Sequence, residues 1–331
     1  MSSSPRSAAT WALGPGAVSW KVLRNPAVFV VALLREGLLL TLHPPFAAAA
    51  VDHDRVHQDP VARYRTIARY AYSTVYGTPA EAERVAGFVR RNHVRVVGIE
   101  PVSGAPYQAH SQYELSLTQA LLTDSWIASY ELLVGPLADA ERDGFVAEQR
   151  VAGALLGVPP EHLPATAAQL QRYIAVARRR WAAGDQAREI LRPFTMGEYP
   201  AGSVIGELPP LRRLLVGRAI RGLTDVALLT MDPADRELLS LPRRPELRSP
   251  RAVRASARLL AAGLGSPRGV AAWERFMKAD VAAIVRRARD AEHRAGGHER
   301  AARTFACPDP SAFVAPIDDL VANWRPEVLA D

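Results

Sequence analysis

Along most of this 331-residue chain, apolar residues recur at three- and four-residue intervals, which places them on one side of an α-helix. Alternating β-branched runs bounded by turns, the mark of strands, are nearly absent. Residues 17–42 read as one long helix, bent near Asn25-Pro26, where proline removes a backbone donor. Its apolar run is broken by Arg35 and Glu36 and stops at His43-Pro44-Pro45. Asp59-Pro60 opens a second helix, with aspartate as cap and proline in the first position, and Gly77 closes it. Thr78-Pro79 opens a third in the same way, running to about Gly98. The stretch Ile99 to His110, rich in glycine and proline, reads as a loop. Further helices are expected over 113–133, 138–156, 166–182, 184–192, 207–230, 233–239, 249–263 and 267–294. No internal repeat appears, and no linker is long enough to divide the chain. The expectation is one all-α, bundle-like domain over 1–331, with an irregular tail over 303–331 wrapping the body.

Hydrophobic residues make up 48% of the chain, enough for burial to drive folding without crosslinks. The single cysteine, Cys307, excludes an internal disulfide and fits a reducing compartment. The formal charge is +7, which raises nucleic acid as a partner. However, the arginines are scattered among aspartates and glutamates, and Lys21 and Lys278 are the only lysines, so nucleic acid is not expected. The start, MSSSPRSAATWALGPG, lacks the apolar core of a secretion signal, and a cytoplasmic protein is expected. The apolar stretch Ala27 to Leu34 is too short before Arg35 to span a bilayer and reads as a buried helix.

Several chemistries find no matching motif. Gly14-Pro15-Gly16 follows no strand and lacks the third glycine of a dinucleotide loop, and Gly263, Gly265 and Gly269 have the wrong spacing. There is no phosphate-binding loop, nucleophile elbow or zinc-binding histidine pair. Cys307 lacks the surroundings of a haem thiolate, and Arg251, Arg254 and Arg258 read as a solvated stripe. One candidate stands out. Arg90 and His93, three apart on a helix lined by Val85, Val89, Val94 and Val97, emerge on the same face. A lone histidine there is more often a satisfied core residue, but an imidazole can supply an axial nitrogen to iron, and a guanidinium one turn away can pair with a haem propionate.

Several short pieces in fixed order extend this reading. They are His43-Pro44; Asp59-Pro60 with Arg63; Tyr76-Gly77; Arg90-x-x-His93 with Gly98; Gly104-x-Pro106-Tyr107-x-Ala109; Asp124-Ser125 with Tyr130; and Glu148 leading to Leu155-Leu156-Gly157-Val158-Pro159. Together they resemble the catalytic-domain family shared by bacterial rubber oxygenases and the fungal oxygenases of mycophenolic acid biosynthesis, with the best match over 43–160. The resemblance implies an all-helical fold enclosing a haem b pocket, with His93 as the proximal iron ligand and Arg90 as a supporting charge. It places Arg63 and Thr66 on the helix passing the oxygen-binding side as the catalytic pair, with Tyr107 and Asp124 bracing the cofactor pocket. Glu148 would be a buried ion-pair partner for an arginine.

There are departures from the pattern. Leu117-Thr118-Gln119 stand where relatives often carry a tryptophan-valine-histidine run, and Gln119 cannot shuttle protons. Thr66 comes one residue early, and no lysine lies between Lys21 and Lys278 to cap the iron as in rubber oxygenases. The expected function is therefore a haem-b-dependent oxygenase or oxidative tailoring enzyme that uses dioxygen or peroxide on a small hydrophobic substrate. Peroxidase or dehydrogenase chemistry on the same iron stays open. So does a haem-free helical module that binds a hydrophobic ligand or partner protein.

Overall fold

The computed structural model describes residues 11–53, 60–199, 202–239, 250–277, 279–298 and 309–310. The expected cap Asp59, Cys307 and all but two residues of the 303–331 tail lie outside this range.

The long N-terminal helix is divided rather than bent. α1 (Val18–Leu23) stops before Asn25, whose side chain accepts the Ala27 amide at 3.0 Å and starts α2 (Pro26–Leu40), with Pro26 in the first turn. An Asx cap followed by proline is a helix start, and it outweighs the continuous apolar pattern. Every residue of α2 except Val30 and Gly37 is buried, as expected of a helix apolar on all sides. It runs along α6 (Gln112–Leu133), with α10 (Pro210–Leu228) and α12 (Pro250–Gly265) against its other flanks.

A helix the sequence reading passed over, α3 (Pro44–His53), follows at once. Its prolines occupy the first turn, where no intrahelical N–H bond is lost, and an alanine run carries it on. α4 (Pro60–Tyr76) and α5 (Pro79–His93) form an antiparallel pair around Gly77, where a Cβ would stand 2.3 Å from the Ser73 carbonyl oxygen. Thr78 and Glu81 close a reciprocal capping box at the start of α5.

α5 ends at His93, five residues before the expected Gly98. The Val96 amide folds back to the His93 carbonyl, and β1 (Val97–Ile99) then pairs antiparallel with β2 (Pro106–Gln108), Gly98 opposite Tyr107. The loop expected over 99–110 is thus largely a hairpin. Its turn is held by Glu100, whose carboxylate accepts the Val102 and Ser103 amides at 2.7 and 2.9 Å. Strands of three residues interrupted by glycine and proline leave no alternation to read.

The remaining helices are α7 (Asp139–Leu155), α8 (Ala167–Ala177), α9 (Asp185–Thr195), α11 (Pro233–Leu238), α13 (Pro267–Phe276) and α14 (Ala279–Arg294). The single helix expected over 267–294 is broken after Phe276, where Met277 is extended (φ −71°, ψ 161°). One continuous apolar cluster contains side chains from Ala12 to Ala288. Among the described residues no single helix is long and apolar enough to cross a membrane. α2 and α3 reach that length and composition only as a pair bent by 108°.

Candidate functional site

His93 sits at the C-terminal end of α5, half-buried, where the chain turns into the hairpin. Its Nδ1 is fully buried and has no hydrogen-bond partner among the described residues. Burial pushes the imidazole down to about 4, and the positive charge of Arg63 and the nearby ring of His110 add to the effect. The ring is therefore neutral near pH 7, which is the form with a lone pair available for coordination. His110, just after β2, has a second buried, unpartnered Nδ1. Both α4, which carries Arg63, and the β2 end thus converge on the last turn of α5.

Glu36 joins this group from α2. It is buried, and desolvation raises its carboxyl to about 8 despite the opposing pull of Arg63, so it holds a proton near neutral pH. Burial and the charge of Glu36 together push the Tyr64 phenol upward. Among the described residues no three His, Cys, Asp or Glu side chains form a metal-ligand set. A metal held at His93 by these residues would have to bring most of its ligands with it, as a porphyrin iron does. The orphaned imidazole nitrogen, its neutral state and the adjacent guanidinium fit that requirement.

The other expected site residues are spread more widely. Thr66 is exposed, and its hydroxyl donates to the Ala62 carbonyl in its own helix at 3.0 Å. Arg90 pairs with Glu83 at 2.5 Å and donates to the Leu155 carbonyl, tying α5 to the end of α7. Tyr107 is buried, donating to Asp52 at 2.6 Å, and its ring lies so close to Gly98 that a Cβ there would meet the phenol oxygen at 2.5 Å. It therefore holds the hairpin against α3. Asp124 pairs with Arg35 at 2.7 Å and accepts from Gln171 at 2.7 Å, while Arg35 donates to the Ser125 hydroxyl at 2.9 Å. The Asp124-Ser125 pair thus clamps a buried arginine of the central helix.

Glu148 takes a different partner from the expected arginine. Its carboxylate accepts the Val18 and Ser19 amides and the Ser19 hydroxyl at 2.7–2.8 Å, capping the otherwise uncapped start of α1. Gln119 is buried and donates to Gln149 at 3.4 Å. Val94 and Val97, expected to line the His93 helix, are exposed. The sequence reading missed Glu36 and His110. Two opposite charges in the middle of an otherwise apolar, capped helix were the available signal for Glu36 and Arg35, because burying a charge demands a partner.

A model of the family described as ER-bound oxygenase mpaB/B′ and rubber oxygenase, catalytic domain, matches residues 20–262. No curated protein and no solved structure matches the chain. The match begins within α1 and ends within α12, so it takes in the central helix, the α4–α5 pair, the hairpin and the Arg35–Asp124 clamp. This chain belongs to the mpaB and rubber oxygenase catalytic-domain family, a family of oxygenases.

Proposed function

We propose that this protein is a haem-b-dependent oxygenase acting on a small hydrophobic molecule, with His93 holding the iron through an imidazole nitrogen. The observation that carries this reading is the half-buried, neutral imidazole at the end of α5, its Nδ1 buried and without a partner among the described residues, in a chain whose family is one of oxygenases. When bound, haem supplies an iron whose free face can activate dioxygen or peroxide. Arg63 supplies positive charge beside His93, suited to the carboxylates of the macrocycle. Glu36 holds a proton on its carboxyl group in the same region, buried from water. Arg90, Tyr107 and Asp124 act as positioning residues, since each fixes an element that carries or borders the site. Thr66 takes part only after its hydroxyl leaves the Ala62 carbonyl. In this reading the enzyme works in the cytoplasm, where a lone thiol stays reduced.

The test is iron and haem analysis of protein produced with ample haem supply, followed by product mass on hydrophobic candidate substrates. Bound haem with products that gain oxygen atoms is expected. Loss of two hydrogens without oxygen gain would shift the assignment to dehydrogenation. Colourless, iron-free protein that takes up no added haem would replace the oxygenase with a haem-free binding module.

A further inference from the structure

The first half of α10 lies at the surface, with one side packed and the other exposed. From Pro210 to Leu223 only Gly217 is buried, on the side facing Tyr199, whereas the helix is anchored by the buried run Thr224–Leu228. Leu211, Leu214 and Leu215 are 68, 47 and 57% exposed. With Arg218 they occupy positions i, i+3, i+4 and i+7, a single stripe along the helix. Arg212 flanks the stripe, whereas Arg213 lies on the far side of the helix and donates to the Gly206 carbonyl at 2.9 Å; both are exposed, and no acidic residue occurs between Pro210 and Thr224. Single exposed leucines are ordinary, but three on one stripe, set among arginines, form a patch.

We infer that this stripe docks the protein on an anionic lipid surface. Arginines in such a stripe pair with lipid phosphates, and the leucines between them enter the boundary between headgroups and acyl chains. Other occupants fit less well. A second copy of the chain would set arginines against arginines. Nucleic acid would engage the arginines and leave the leucines in water. The leucines also stand on a convex helix rather than lining a groove, so they suit a deformable lipid layer. The inference does not depend on haem or on the oxygenase reading.

The test is co-sedimentation of the full-length protein with vesicles of phosphatidylcholine alone and of phosphatidylcholine containing phosphatidylglycerol. Binding to the anionic vesicles alone, weakening as salt rises, is expected. Two variants are compared with the wild type, Leu211→Ser/Leu214→Ser/Leu215→Ser and Arg212→Gln/Arg218→Gln. Each should lower the vesicle partition coefficient at least about tenfold, with unchanged thermal unfolding because the side chains are exposed. A third variant, Leu215→Trp, gives a readout independent of the multiple substitutions: its emission should shift to the blue on addition of anionic vesicles. No binding by the wild type at low salt, or binding unaffected by both multiple variants, overturns the inference. So does loss with the arginine variant alone, which would mark a general polyanion surface. Loss on Val97→Ser/Ile99→Ser in the exposed hairpin, with both α10 variants binding normally, would assign docking to a different face.

Discussion

The imidazole of His93 is neutral because its surroundings make the charged form costly: burial removes water, and Arg63 adds a like charge. The same apolar region acts in the opposite sense on Glu36. Its carboxyl titrates at about 8 in the folded chain against an ordinary 4.5, so between these values the folded state binds more protons than the unfolded one. His93, lowered to about 4 against an ordinary 6.5, contributes in the opposite sense up to about 6.5, so stability of the haem-free protein should fall as pH rises from about 6.5 to about 8, by at most about 1.4 kcal/mol per pH unit from Glu36, and level off above. Glu36→Gln should flatten that stretch of the profile, measured by denaturant unfolding across the range; an unchanged slope would mean that the carboxyl is ionised when folded. Arg35, one residue away, is 5% exposed and depends on Asp124 for its counter-charge. Asp124→Ala removes the carboxylate that pairs with the guanidinium, leaving it hydrogen bonds to the Ser125 hydroxyl and the Thr230 carbonyl and a longer-range attraction to Asp235, and should cost about 3 kcal/mol in chemical denaturation. A cost below about 1 kcal/mol, the range of exposed pairs, would show that the clamp opens to water.

At the scale of elements, the site depends on where α5 stops. The hairpin after His93 is packed by Tyr107 against the bare Cα of Gly98, with the phenol bonded to Asp52 of α3. Gly98→Ala would place a methyl group where the phenol stands, so the hairpin must shift, at an expected cost of about 1–3 kcal/mol. Hydrogen exchange should report this as faster exchange in 97–108 with the α2–α6 pair unaffected; protection equal to the wild type would show that the contact is not needed. Helix identity was legible wherever caps and periodicity agreed, as at Thr78-Pro79 and across α6 and α7. It was not legible where a short element depends on distant partners. The three-residue strands owe their form to each other and to α3, and α3 was hidden by prolines that look like a stop but occupy its first turn.

Across the whole molecule, α2 determines what can be built around it. It is buried on all sides, and it carries both the clamped Arg35 and the protonated Glu36 into the core. That arrangement places one charge pair for structure next to one group that Arg63 acts on, as it acts on His93. The sequence singled out His93 by its spacing to Arg90, but the two side chains have different neighbours: Arg90 fastens α5 to α7, and Arg63 and His110 act on the imidazole. Convergence of two other segments on one imidazole is a tertiary fact that helical periodicity along one segment does not encode.

The most direct measurement is the absorption spectrum of haem-supplemented protein, wild type beside His93→Gly, with and without free imidazole. Coordination by this residue predicts a Soret band in the wild type, its loss or displacement in the variant, and its return when imidazole fills the space left by the side chain. A variant spectrum that matches the wild type without imidazole would contradict the assignment of His93 as the iron's ligand.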